Sequence, residues 1–112
     1  MTEGDIDSEI EEGADVCIFT SDKLSRPWVG RILSVCENRE FILQWYTRKS
    51  SRGKVFSALV NSDGSPSQAR LSFNTVMFWN ISEPQSRTET SFSLSPQWLE
   101  TIMKEYEAID NE

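Results

Sequence analysis

The chain has 112 residues, 38% of them hydrophobic and 26% charged, with a formal net charge of −7 and no histidine. That length supports one small domain with a modest core. Without histidine the usual general base near neutral pH is missing, as are most catalytic metal sites. No apolar run approaches the roughly 18–20 residues that span a bilayer. The N-terminus is acidic and lacks an apolar signal core, so the chain reads as intracellular and not as a membrane protein.

The charge is unevenly spread. Residues 1–15 hold seven acids and no base, residues 22–54 hold eight bases against three acids, and residues 55–112 hold three bases against eight acids. An acidic arm, a basic centre and an acidic tail describe the chain better than its net charge does.

In chain order, residues 1–13 are acidic, with Ile6 and Ile10 as their large apolar residues beyond Met1. Such a stretch cannot bury enough surface to offset the entropy of ordering, so a disordered arm is expected. Residues 14–20 (ADVCIFT) alternate like a short strand, and residues 21–27 form a polar loop ending in Pro27.

The centre of the chain is residues 27–48, PWVGRILSVCENREFILQWYTR. Two runs rich in β-branched and aromatic residues flank the polar stretch 36–40, which predicts a β-hairpin. Phe41, Leu43 and Trp45 fall on one face of the second strand, and Ile42, Gln44 and Tyr46 on the other. Gln44 marks the second face as the wetter one. Trp45 is therefore expected in the core and Tyr46 at a rim.

A basic loop follows, residues 47–54, and then a strand at 55–60. Residues 61–67 (NSDGSPS) carry turn chemistry throughout. Residues 69–73 read as a short edge strand or a turn, 75–81 as a strand, and 83–94 as a linker. The β-barrel domain is thus expected over residues 14–82. Ser95–Pro96 then offers an N-cap and a proline at the first helical position. Leu99, Ile102, Met103, Tyr106 and Ile109 recur at helical spacing beside Trp98, so a helix over 95–110 should pack its stripe on the barrel.

These elements predict a mainly β fold, a small SH3-like barrel of about five strands closed by one C-terminal helix. Cys17 and Cys36 are expected as buried thiols. Two cysteines without histidine do not make a zinc site, so no metal or other cofactor is expected. The sequence holds neither a phosphate-cradling glycine loop nor a nucleophile elbow, and no enzyme is expected.

A binding module is the better class. Trp28, Tyr46, Phe56 and Trp79 fall at strand ends or beside loops. Gathered at one rim they would form an aromatic recess for a methylated ammonium, each contact worth about 0.5–2 kcal/mol. Asp22, in the loop before Trp28, would add negative charge. The second candidate is a nucleic-acid-binding surface on Arg48, Lys49, Arg52 and Lys54. A protein-assembly domain of a larger protein is the third.

The hairpin residues Pro27-Trp28-Val29-Gly30-Arg31-Ile32-Leu33 and Phe41-Ile42-Leu43-Gln44-Trp45-Tyr46-Thr47-Arg48 resemble the core of bromo-adjacent homology (BAH) domains. Those carry a W-x-G/A-R-I strand followed by an x-V-x-W-F/Y-x-R strand. Trp28, Arg31, Trp45, Tyr46 and Arg48 lie on matched positions, and Arg31 is expected to pair with an acid across the sheet. Residues 55–79 look like a compact chromo- or Tudor-like barrel, and also like small modules attached to integrase-type proteins derived from mobile elements. The resemblance implies a nuclear, chromatin-associated protein whose barrel docks onto a histone tail or another protein peptide, or less often onto nucleic acid.

Overall fold

The computed structural model describes residues 10–23, 26–50 and 53–111. Most of the acidic arm, and Arg52 of the basic loop, lie outside the described residues. The strands are β1 (Asp15–Ile18), β2 (Val29–Cys36), β3 (Glu40–Thr47), β4 (Val55–Ala58), β5 (Gln68–Ser72), β6 (Val76–Trp79) and β7 (Ser91–Ser93). A single helix, α1 (Pro96–Asp110), follows them.

The fold is mainly β, as expected, but with seven strands among the described residues rather than about five, all antiparallel in one sheet of order β6-β1-β2-β3-β4-β7. β5 joins the sheet off this path, along β3. The outer edge of β3 is therefore divided. Its first half, Glu40–Gln44, pairs with β5, and its last two residues, Tyr46 and Thr47, pair with β4. The sheet does not close on itself through hydrogen bonds.

The central hairpin forms where the sequence places it, with Cys36 paired to Glu40 across the turn. Asn38 and Arg39 there adopt left-handed φ values of 62° and 57°. Asn accepts that conformation readily, because its short side chain bonds locally. A bulge between Ile32 and Ser34 bends β2. That bend helps the sheet curl over a core of Val16, Ile18, Ile32, Phe41, Leu43 and Phe73.

Gly30 is required by close approach. A Cβ there would stand 2.5 Å from the Gln44 carbonyl oxygen and 2.8 Å from the Leu43 side chain.

The opposite face of the sheet carries a second core. Cys17, Val29, Tyr46, Phe56 and Phe92 pack there against Ile102 and Tyr106 of α1. The helix starts as its sequence dictates, with Ser95 accepting a hydrogen bond from the Trp98 N–H and Pro96 in the first turn. Its buried stripe is narrower than the spacing suggests. Ile102 and Tyr106 are buried, but Met103 is 38% exposed.

Three expectations are corrected. Residues 10–13, expected in the disordered arm, join the fold: Ile10 is buried in the core with Val16 and Ile32, and the Gly13 N–H donates to the Ile32 carbonyl at 2.7 Å. The stretch 83–94, read as a linker, contains β7, which pairs with β4 and sets Phe92 against Phe56. Phe92 and Leu94 are fully buried. The rim place expected of Tyr46 is also overturned: Tyr46 is buried, while Trp45 packs half-buried against the core of Val16 and Leu43. Both faces of β3 are covered, so no wet face exists for Tyr46 to occupy. Gln44 tolerates burial because its side-chain amide donates to the Trp45 and Leu59 carbonyls, each at 2.9 Å.

Cys17 is buried as expected, whereas Cys36 is half-buried, and both thiols are free. The acid partner of Arg31 is Asp15 on β1, at 2.6 Å. Arg87 reaches the same carboxylate at 3.0 Å. Arg31 also donates to the Thr88 and Ser91 carbonyls, and so holds the segment leading into β7 against the sheet.

Candidate functional site

The register of the four strands β6, β1, β2 and β3 sets one row of side chains. Trp79 pairs with Val16, Val16 with Gly30, and Gly30 with Trp45. Cross-strand partners share a face, so Trp79 and Trp45 stand on the same side of the sheet, both packed half-buried against the core of Val16, Ile32 and Leu43. Trp28 lies two residues before Gly30 and shares that face. Its ring meets the Trp45 ring edge-on, with centroids 5.2 Å apart and planes at 74°.

Trp28, Trp45 and Trp79 are all half-buried. Trp28 is fixed from behind, because its indole N–H donates to the Asp22 carbonyl at 3.2 Å. The backbone N–H of Trp28 donates to the Tyr106 hydroxyl at 3.1 Å. Asp22 itself is exposed in the same loop.

The recess expected from Trp28, Tyr46, Phe56 and Trp79 is not assembled as a group. Trp28 and Trp79 lie on one face of the sheet. Tyr46 and Phe56 lie on the other, in the core beneath α1. The Tyr46 ring stands 5.1 Å from Phe92, and its hydroxyl donates to the Glu89 carbonyl at 3.3 Å. Phe56 stacks on Phe92 at 5.8 Å. Trp45, expected in the core, packs half-buried against it and stands beside Trp28.

The basic loop divides by role. Arg48 turns inward, its guanidinium 5.6 Å from the Phe56 ring centre. It donates to the carbonyls of Gly53 and Arg26 at 3.0 and 3.4 Å. Burial holds its pKa below the ordinary arginine value; the group remains a cation at neutral pH. Lys49 and Lys54 are exposed. Arg26, Pro27, Thr47, Arg48, Lys49 and Ser50 border a cleft of about 290 Å³, with Phe56 as its remaining wall. Nothing in the sequence marks Arg26 and Thr47 for this cleft. Arg26 sits before the proline in a loop, and only the fold brings it beside the end of β3.

Arg26 is engaged on several sides. Its guanidinium lies 4.3 Å from the Tyr106 ring centre and 2.7 Å from an Asp110 carboxylate oxygen. The hydrogen bond from Arg26 lowers the Asp110 pKa. These contacts fasten the last turn of α1 to the loop before β2.

Among the described residues, no group of three or more His, Cys, Asp or Glu side chains is placed to hold a metal ion. Among them, too, no helix is long and apolar enough to cross a membrane. Comparison of the chain with protein-family models, curated proteins and solved structures found no match.

Proposed function

We propose that the chain is a non-catalytic interaction module that holds a protein peptide on the aromatic corner formed by Trp28 and Trp45. The observation that carries this reading is the edge-to-face pair itself: two half-buried indoles at 74°, on the sheet face away from α1. Tryptophan is enriched among the residues that dominate binding energy at interfaces. Two indoles at such an angle offer two walls to an apolar or cationic side chain, and cation–π attraction contributes about 0.5–2 kcal/mol. Asp22, in the loop that braces Trp28, favours a positively charged guest.

A lysine-rich tail, with or without methylation, is the chemistry that fits. A histone tail in the nucleus is the leading partner, and a chromatin-associated role follows from the BAH-like hairpin sequence. The finer fold assignment belongs to the same proposal. Strands β6-β1-β2-β3-β5 curl over one core, and a 3-10 turn at Phe73–Thr75 joins β5 to β6. This arrangement supports an SH3-like small barrel, with β4, β7 and α1 packed outside it.

The test is binding of lysine-containing peptides, unmodified and methylated, to the full chain and to Trp28→Ala and Trp45→Ala. Either substitution should weaken binding at least about tenfold, the loss expected of an aromatic contact near the centre of an interface. The folded state of each variant is checked by its thermal melt. Equal peptide affinity in folded variants and parent would remove the aromatic corner from the function.

A further inference from the structure

We propose that the cleft beside the end of β3 is a binding site for a phosphate monoester, carried on a phosphorylated serine or threonine of a partner peptide or present as a small free phosphate. It uses different residues from the aromatic corner and stands without it.

The first ground is uncompensated charge. Arg26, Arg31, Arg70 and Arg87 each lie within 3.0 Å of a carboxylate oxygen. Arg48 has no carboxylate partner among the described residues, although it is half-buried and desolvation lowers its pKa. Taking a guanidinium partly out of water without a counter-charge is unfavourable. The hydrogen bonds of Arg48 run to backbone carbonyls, which are polar but neutral. Lys49, on the same cleft, likewise has no carboxylate partner among the described residues. The charge of Arg26 is already met by Asp110. Among the described residues that line the cleft, two cations therefore remain, and a phosphate monoester brings between about −1.5 and −2 at neutral pH.

The second ground is the donor set. Arg48 retains N–H groups beyond those given to Gly53 and Arg26, Lys49 supplies an ammonium, and Thr47 and Ser50 supply hydroxyls. Charge-assisted donors converging from several directions suit a group with three terminal oxygens. Gly53 N–H donates to the Ser50 carbonyl at 3.0 Å, while Arg48 grips the Gly53 carbonyl from below.

The third ground concerns size and field. The cleft, at about 290 Å³, takes one compact anion. A duplex needs an extended basic surface, and the formal net charge of −7 opposes a long polyanion.

The test is an amide correlation spectrum of the full chain. It is recorded with inorganic phosphate, with a phosphoserine peptide and its unphosphorylated twin, and with a short DNA duplex. Phosphate and phosphopeptide should shift Thr47, Arg48, Lys49 and Ser50, and the unphosphorylated peptide should leave them in place. A phosphopeptide that binds more tightly than phosphate identifies a partner protein as the source; equal affinity identifies a small free phosphate. Arg48→Gln should weaken binding about tenfold or more, the loss of one charge-assisted contact. Because Arg48 also braces its loop, Lys49→Glu serves as the second variant. Lys49 is exposed, so this change spares the fold and should cost at least as much affinity. No shift with either phosphate probe, shifts with the duplex alone, or phosphate binding unchanged in Lys49→Glu would overturn the proposal.

Discussion

The Tyr106 hydroxyl donates to the Ile18 carbonyl oxygen at 2.7 Å, tying the C-terminal α-helix to the end of the first strand. The Tyr106 hydroxyl oxygen in turn accepts the Trp28 N–H at 3.1 Å, and the Cys17 sulfur lies 3.5 Å from it. One phenol thus joins α1, β1 and the start of β2, beneath the loop that braces the aromatic corner. Tyr106→Phe keeps the packing but leaves a backbone donor and a backbone acceptor without their partner. It should destabilise the fold by about 1–3 kcal/mol. Urea unfolding followed by tryptophan fluorescence measures this, and an unchanged midpoint would refute the linking role.

The same cluster sets an alkaline limit. Burial pushes the Cys17 thiol from 9.0 up to about 11. Burial also raises the Tyr106 phenol above its ordinary value. Above pH 9 the unfolded thiol loses its proton while the folded one keeps it, so the folded state binds more protons and stability falls as pH rises. The contribution of Cys17 is fully present below pH 9 and is lost through about pH 11, about 2–3 kcal/mol in all. Urea midpoints at several pH values across this window should decline, and decline less in Cys17→Ala.

Asp15 is the next weak point. Its side chain is fully buried and serves both Arg31 and Arg87. Removing one partner of a buried ion pair leaves an uncompensated charge, at a cost of about 3–5 kcal/mol. Asp15→Ala should therefore consume much of the stability of a small domain, commonly about 5–15 kcal/mol. Circular dichroism melts should show a large fall in Tm. A fall of only a degree or two would mean that Arg31 and Arg87 find other partners.

Gly30→Ala tests the curl of the sheet. The new methyl would press on the Gln44 backbone, which cannot turn aside as a flexible side chain can. A destabilisation of about 1–3 kcal/mol is expected, the usual cost of overpacking. A thermal melt matching the parent would show that β2 and β3 separate easily there.

The parts of the fold legible in the sequence are those with local signals. The hairpin declared itself through β-branched runs around a polar turn, and α1 through Ser95, Pro96 and the spacing of Ile102 and Tyr106. The stretch 69–73 gave both of its alternatives, since β5 ends at Ser72 and the 3-10 turn begins at Phe73. β7 was hidden because Ser91-Phe92-Ser93 is too short to show a period. What makes it a strand is the burial of Phe92 between Tyr46 and Phe56, a contact far away in sequence.

The site was legible only in part. Period-2 alternation separates the two faces of β3 correctly, but it cannot say which face is dry when both are covered. The amide of Gln44, satisfied by two carbonyls, mimics a solvent-facing residue and so suggests a rim that Tyr46 does not occupy. Trp28 was singled out for its place after a loop, and its partner Trp45 emerges only from the register. Arg48 was read as one of four loop cations, yet it alone of the described three turns inward onto Phe56.

The most direct test of the peptide-binding account is the indole N–H region of a correlation spectrum, recorded while lysine peptides, unmodified and methylated, are added in turn. One peptide should shift the Trp28 and Trp45 indole signals together and leave the Trp98 signal, on the helix side, in place. A well-dispersed spectrum in which Trp28 and Trp45 stay fixed up to millimolar peptide would contradict it.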